Sequence, residues 1–93
     1  MIIGFRDKAT EKIWNLNQAR NIPVEIQKIG LRKLTMLNGA KDVNDLRIPP
    51  SNHLEKLKKD REGQYSIRIN DQWRICFVWE NGNAFEVEIV DYH

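Results

Sequence analysis

The sequence predicts an α+β fold in which two N-terminal helices pack on one face of an antiparallel β-sheet. The first part of the chain carries apolar residues at helical spacing in two segments. The last third alternates apolar and polar residues with a period of two, in three consecutive runs. Because 93 residues have room for one modest core, we expect residues 1–93 to form a single domain.

The chain is predicted to begin with a short strand and a first helix. Residues 2–5 are apolar enough for a strand, and Asp7 stands where it can cap the helix that follows. We expect this helix to run to about Asn17, with Ala9, Ile13 and Leu16 on its packed side.

A second, longer helix is predicted to start at Pro23 and to stop at Asn38-Gly39. Its apolar stripe consists of Ile22, Ile26, Ile29, Met36 and Leu37. Lys33 falls within this stripe, so its ammonium group is expected to reach water along its flexible stem. The other face is mainly basic and carries Glu25, Lys28 and Arg32.

The segment from residue 40 to residue 63 has no sustained period, and Pro49-Pro50 rules out a regular helix or a central strand there. Long irregular segments in small domains are usually functional. The residues expected to attach it to the core are Leu46, Ile48, Leu54 and Leu57. The cations expected to stay outside are Lys56, Lys58, Lys59 and Arg61.

Three strands are predicted in the last third, at residues 65–69, 73–79 and 85–89. Asn81-Gly82 is a signal for a two-residue hairpin turn, but that turn would leave apolar residues on both faces of the sheet. A three-residue loop over 81–83 brings them to one face. The predicted pairs are Trp79 with Phe85, Phe77 with Val87 and Ile75 with Ile89.

The same rule places Arg68 opposite Arg74 on the face away from the core. Val90 then lies opposite Arg74, with Tyr92 as a diagonal neighbour. Opposed cations on adjacent strands cost stability unless an anion bridges them or they separate into solvent. Their position therefore suggests a phosphate site.

The charge distribution, the N-terminal residues and the cysteine content limit the classes of protein to which this chain can belong. Residues 1–75 contain all 15 basic side chains, which favours a polyanion such as RNA as partner, although a solvated surface has the same composition. The apolar stretch at the N-terminus is too short for a signal peptide or a membrane span. Cys76 is the single cysteine, so we expect no disulfide, no zinc site and a reducing, cytoplasmic location.

The chain contains the segments LKKDREGQYSIRINDQWRICF (57–77) and VDYH (90–93). Together they resemble the HigB branch of the RelE toxin superfamily. The similarity extends to FRDKATEK (5–12), the region of the second helix and LRIPPSNHLEKL (46–57). The DREG, NDQWRI and DYH blocks are specific in combination. The resemblance implies two helices against a mainly antiparallel sheet. It also implies an endoribonuclease toxin that cuts mRNA in the ribosomal decoding site, inhibits translation and is held inactive by a helix-turn-helix antitoxin of the HigA type.

The resemblance also implies roles for individual residues. The positions that match family residues linked to catalysis are Lys58, Arg74, Asp91, Tyr92 and His93, and Arg68 matches an arginine of the wider RelE group. One family member has a histidine shortly before the matching lysine, where this chain has Leu54-Glu55-Lys56. The general base therefore stays open, with His53 the one histidine of that loop.

Cleavage of RNA by its own 2′-hydroxyl needs a base, cations on the phosphate and an acid, and no metal or cofactor is expected. Arg74, with Lys58 and Arg68, is expected to stabilise the developing charge. Tyr92 is expected to stack on or orient a base, and His93 or Asp91 to transfer the proton. Further RNA contacts are expected from Lys28, Arg32, Lys56, Lys59 and Arg61.

Two other functions fit the same residues. One is a non-catalytic module that binds RNA or a protein, and the other is a ribonuclease that acts without the ribosome. The sparse acid–base equipment favours dependence on the ribosome, because a positioned substrate lowers the entropic part of the barrier.

Overall fold

The computed structural model describes residues 1–92 and has the predicted α+β architecture. The helices are α1 (Lys8–Trp14) and α2 (Val24–Gly39). The strands are β1 (Glu55–Lys56), β2 (Gln64–Arg68), β3 (Trp73–Glu80) and β4 (Asn83–Asp91), which form one antiparallel sheet in the order β1-β2-β3-β4. Both helices pack against one face of this sheet. Within the described residues no helix is long and apolar enough to cross a membrane.

The N-terminal segment lies parallel to β4, beyond the antiparallel ladder. Isolated bridges join Ile2 to Ala84 and Phe5 to Val87, and the Ile3 amide donates to the Ala84 carbonyl at 2.8 Å. The predicted first strand is therefore reduced to two bridges, which make the sheet mainly rather than wholly antiparallel.

Helix α1 begins as predicted and ends early. The Asp7 carboxylate accepts from the Thr10 amide at 3.0 Å, so Asp7 is the N-cap. Leu16 has a φ of 66°, and the amides of Leu16 and Asn17 donate back to Ile13 and Lys12 in a left-handed ending of the Schellman type. The prediction that Leu16 packs inward was wrong, because this ending turns its side chain out to 79% exposure.

Helix α2 has the predicted limits and a wider buried face than predicted. Ile22, Ile26 and Leu37 are buried as expected, with Ile29 and Met36 partly buried. Leu34 is fully buried as well, and Gly30 brings the helix close to the side chain of Ile89. Lys33 does not reach water as expected, since it is only 5% exposed.

The irregular segment contains three short 3-10 turns, at Val43–Arg47, Pro50–Asn52 and Lys59–Arg61. Leu46 and Leu57 attach it to the body as predicted, with Leu54 partly buried. Ile48 was predicted wrongly and is 76% exposed. Strand β1 was not predicted, because two residues are too few to show a period.

The β3–β4 hairpin corrects the predicted loop. Asn81 and Gly82 both have positive φ and form a two-residue turn, so Trp79 faces Ala84 rather than Phe85. The extra residue that the alternation demands lies in the strand, where a bulge sets Phe77 against two residues, Glu86 and Val87. The predicted Phe77–Val87 pair is thus part of a bulge, and the predicted pair of Ile75 with Ile89 is confirmed.

Candidate functional site

The candidate site lies on the face of the sheet opposite the helices. Arg68 pairs with Arg74 and Arg74 with Val90, as predicted. Each arginine has a carboxylate within the chain: Arg68 forms an ion pair with Asp71, and Arg74 Nη2 lies 2.9 Å from Glu55 Oε1. These carboxylates offset the repulsion between the arginines, so the opposed cations by themselves do not require a bound phosphate.

Arg74 is held in one orientation by three acceptors. Besides contacting Glu55, its guanidinium donates from Nη1 to Ser66 Oγ at 2.8 Å and to the His53 carbonyl at 3.3 Å. Only 13% of its side chain is exposed. Strand β1 brings Glu55, rather than the cross-strand neighbour Glu88, to the guanidinium. The result is a preoriented cation at the surface of the sheet.

The aromatic ring of Tyr92 packs against the Arg74 guanidinium. The Arg74 guanidinium carbon lies 5.6 Å from the centre of the Tyr92 ring, which is within the range of a cation–π contact. The Tyr92 amide donates to the Gln72 carbonyl and so extends the line of β4. Its side chain remains partly exposed, which leaves part of the ring open to a ligand.

Two of the acid–base candidates are the neighbouring residues Asp91 and His93, of which the structure describes Asp91. Asp91 is exposed, pairs with Trp73 in the ladder and accepts a hydrogen bond from Gln72 Nε2 at 3.1 Å. The prediction for His93 lies outside the described residues. His53 is exposed, and its backbone carbonyl accepts a hydrogen bond from Arg74 Nη1.

The cations of the irregular segment fall into two groups. Lys56, Lys58 and Lys59 are exposed and line a shallow pocket of about 390 Å³. Arg61 is held against the sheet, with Nη1 3.6 Å from Glu88 Oε2 and 3.2 Å from Gln64 Oε1. Arg61 is therefore committed to contacts within the chain, while the three lysines are available to a ligand.

The predicted contacts on helix α2 lie apart from the site. Lys28 and Arg32 are exposed, but their helix packs on the opposite face of the sheet from Arg74. One RNA phosphate near Arg74 therefore cannot also contact these two residues.

Two residues of the site were missed by sequence reasoning, Glu55 and Ser66. Ser66 shares its face with Arg68 by the period-two rule, which was a signal available in the sequence. Glu55 reaches Arg74 only through the unpredicted pairing of β1 with β2, so no local pattern could reveal it.

Cys76 lies on the same face and is fully buried. Burial raises the pKa of its thiol to about 11, against the opposing influence of Arg61 and Arg74. The thiol is therefore neutral at physiological pH and is no nucleophile there. Within residues 1–92 no cluster of side chains suited to a metal ion occurs.

Comparison with known proteins places the chain in a family. Residues 3–93 match the protein-family model described as the RelE-like toxin of type II toxin-antitoxin system HigB. Toxin HigB-1 of Vibrio cholerae is 40% identical over 85 residues, which is 90% of each chain. Endoribonuclease HigB of Proteus vulgaris is 31% identical and is covered over 100% of both chains.

The fold has known counterparts as well. A chain of the heterotetrameric YoeB-YefM toxin-antitoxin complex from Staphylococcus aureus superposes with a TM-score of 0.62 at 23% identity, covering 100% of this chain and 95% of that one. Two helices on a four-stranded antiparallel sheet thus form a RelE-like toxin fold. Within that class, the chain belongs to the HigB family of toxins of type II toxin-antitoxin systems.

Proposed function

We propose that the protein is an endoribonuclease that cleaves mRNA in the decoding site of the ribosome and so inhibits translation. The observation that carries this proposal is the Arg74 guanidinium, fixed by three acceptors on the sheet face opposite the helices, beside the partly exposed ring of Tyr92. The relative from Proteus vulgaris is named as an endoribonuclease, which supports the same reaction class.

The reaction we propose is attack by a ribose 2′-hydroxyl on the neighbouring phosphate. A base takes the hydroxyl proton, the 2′-oxygen forms a bond to phosphorus, and the bond from phosphorus to the 5′-oxygen breaks as that oxygen takes up a proton. The products are a 2′,3′-cyclic phosphate and a 5′-hydroxyl. Arg74, assisted by Lys58 and Arg68, stabilises the charge that develops on the phosphate oxygens.

The base has three candidates. Asp91 and His93 carry over from the family motif, and Glu55 is added by geometry, since its carboxylate contacts Arg74 and its side chain is 54% exposed. A group of this kind lies close to any phosphate that Arg74 binds. Substituting each of the three and recording the pH profile of cleavage identifies the base.

The ring of Tyr92 stacks on or orients a splayed base of the message. Lys56 and Lys59 provide phosphate contacts beside Lys58, since all three line one exposed pocket. Lys28 and Arg32 would contact ribosomal RNA, because they lie on the other side of the molecule. Arg61 would contribute to RNA binding only by exchanging its contact with Glu88 for a phosphate.

The partner we propose is a helix-turn-helix antitoxin of the HigA type. The family description and a structural neighbour solved within a toxin-antitoxin complex support an antitoxin of some kind. A toxin that acts on translating ribosomes works in the cytoplasm, which is the location we propose.

The test compares purified protein on mRNA bound to programmed ribosomes and on the same mRNA alone. We expect much faster cleavage on the ribosome, with cyclic-phosphate and 5′-hydroxyl ends. Equal rates on both substrates would instead favour a ribosome-independent ribonuclease. RNA binding without cleavage of either substrate would favour the non-catalytic module.

A further inference from the structure

Lys33 is a buried cation that the proposed chemistry does not use. It is 5% exposed, and burial, assisted by the nearby charge of Arg32, lowers its pKa from the ordinary value of 10.5. Its ammonium donates to Asn52 Oδ1, and among residues 1–92 it forms no ion pair with a carboxylate. A buried cation without a carboxylate costs stability, so a contribution to core packing does not account for it.

Asn52 connects this lysine to the irregular segment. It is fully buried, and its Nδ2 donates to the carbonyls of Leu46 at 3.1 Å and Ile48 at 3.4 Å. Its Oδ1 accepts a hydrogen bond from Lys33 on α2, so both the oxygen and the nitrogen of the amide are hydrogen-bonded. The position and the rotation of residue 52 are therefore fixed relative to the helix.

The residues immediately after Asn52 hold the Arg74 guanidinium. His53 supplies a carbonyl to Nη1 and Glu55 a carboxylate to Nη2, so two of the three acceptors lie within three residues of Asn52. His53 has a φ of 44°, a left-handed conformation that a free chain rarely keeps. The segment needs an anchor to stay in this conformation, and Asn52 is the buried side chain next to it.

We propose that Lys33 and Asn52 are positioning residues that hold segment 52–55, and through it the Arg74 guanidinium, in the orientation that stabilises the charge developing on the phosphate. This inference rests on the proposed function of Arg74. An apolar pair would fill the same space, but it would not fix the rotation of residue 52, because only hydrogen bonds are directional.

The test compares Asn52→Leu and Lys33→Met with Ile13→Val, a core substitution on α1, the helix that packs against α2 and β4. Cleavage on programmed ribosomes is measured well below the unfolding temperature of every variant. We expect Asn52→Leu to lower kcat by about 10- to 100-fold, since a small misplacement of a catalytic group has effects of this size. KM should stay within about twofold, because an interaction that strengthens only in the transition state affects kcat and leaves KM unchanged.

Lys33→Met should act in the same direction with a smaller effect, because Asn52 keeps its bonds to the two carbonyls. It also keeps the inference testable if Asn52→Leu does not fold. Ile13→Val should lower the unfolding temperature and leave kcat unchanged. A kcat that follows the unfolding temperature across all three variants would overturn the positioning role, as would an unchanged kcat in Asn52→Leu.

A second readout needs no cleavage and so separates failure of this inference from failure of the proposed function. Nitrogen-15 NMR of the arginine side chains, assigned with Arg74→Lys, follows rotation of the Arg74 guanidinium. We expect slow rotation and separate Nη signals in the unmodified protein, and averaged signals in Asn52→Leu. Unchanged Arg74 signals in that variant would contradict the inference even if the protein cut no RNA at all.

Discussion

Arg74 combines two properties that a phosphate-binding cation needs. It faces away from the core, and its acceptors Glu55, Ser66 and the His53 carbonyl fix its orientation before any ligand arrives. A charge that is oriented in advance stabilises a transition state without reorganising at the moment of reaction. Its planar fork of donors also matches two oxygens of one phosphate, which the compact ammonium of a lysine does not.

Replacement of this side chain should therefore separate activity from stability. We expect Arg74→Ala to reduce ribosome-dependent cleavage by about 100-fold or more, and to cost about 1 kcal/mol of unfolding free energy because Ser66 loses its donor. Arg74→Lys should restore little of the activity. Arg20→Ala, at an exposed arginine between the helices, is the control and should cleave normally. A folded Arg74→Ala protein with normal cleavage would remove Arg74 from the site.

Cys76 offers a chemical test of the buried outer face. Its pKa of about 11 and its full burial keep the thiol protonated and shielded at pH 8. We expect a disulfide reagent to label the native protein many times more slowly than the protein in denaturant. Rapid labelling of the native protein at pH 8 would mean that the cover over this part of the sheet opens readily.

Among the secondary-structure elements, those marked by a repeated pattern or by one characteristic side chain were predicted correctly. The Asp7 cap, the limits of α2 and the pairing of Arg68 with Arg74 were all predictable. Alternation also revealed that one residue is extra between β3 and β4. It could not locate that residue, because a loop and a bulge correct the register equally well.

Other features depended on contacts that no local pattern encodes. Leu16 and Ile48 are apolar but exposed, and at Leu16 the left-handed end of α1 turns the side chain outward. Glu55 joins the site through a two-residue strand, and Lys33 stays buried because Asn52 accepts its hydrogen bond. The arginine of the candidate site was thus predictable, while most of what holds it was not.

The β3–β4 turn provides a test of the observed register. Gly82 has a φ of 79°, and a Cβ there would lie 3.3 Å from the Lys41 carbonyl oxygen. We expect Gly82→Ala to lower the unfolding free energy by about 1 to 2 kcal/mol, the cost of a left-handed conformation for a residue with a side chain. Gly39→Ala, where a Cβ meets nothing within 4 Å, should cost far less in the same denaturant titration. Equal costs at the two glycines would contradict the two-residue turn.

In the molecule as a whole, the two faces of the sheet have different roles. The helices cover one face and build the core, while the other face carries Arg74 with the ring of Tyr92 against it. Tyr92, which is partly exposed, can therefore change with little effect on folding, whereas Ser66 and Cys76 on the same face are fully buried. Tyr92 follows β4 directly, and its ring contacts Arg74.

Removal of residues 92 and 93 tests this division. The partly exposed ring of Tyr92 buries little surface, so thermal unfolding should barely change. Cleavage should fall sharply, because the contact between Tyr92 and Arg74 is lost together with a candidate acid or base. Both quantities are to be measured on the same truncated protein. A large loss of stability would mean that the chain end supports the fold, and unimpaired cleavage would exclude both residues from the site.

We propose that the Arg74 site makes this chain a toxin that cuts translated mRNA, and one measurement in cells tests this most directly. The protein and its Arg74→Ala variant are induced without an antitoxin, and growth is followed while mRNA 5′ ends are mapped across the transcriptome. We predict growth arrest and new 5′-hydroxyl ends confined to translated regions for the unmodified protein, and neither for the variant at equal abundance. Growth arrest by both proteins, or arrest without new ends in translated regions, would contradict the account.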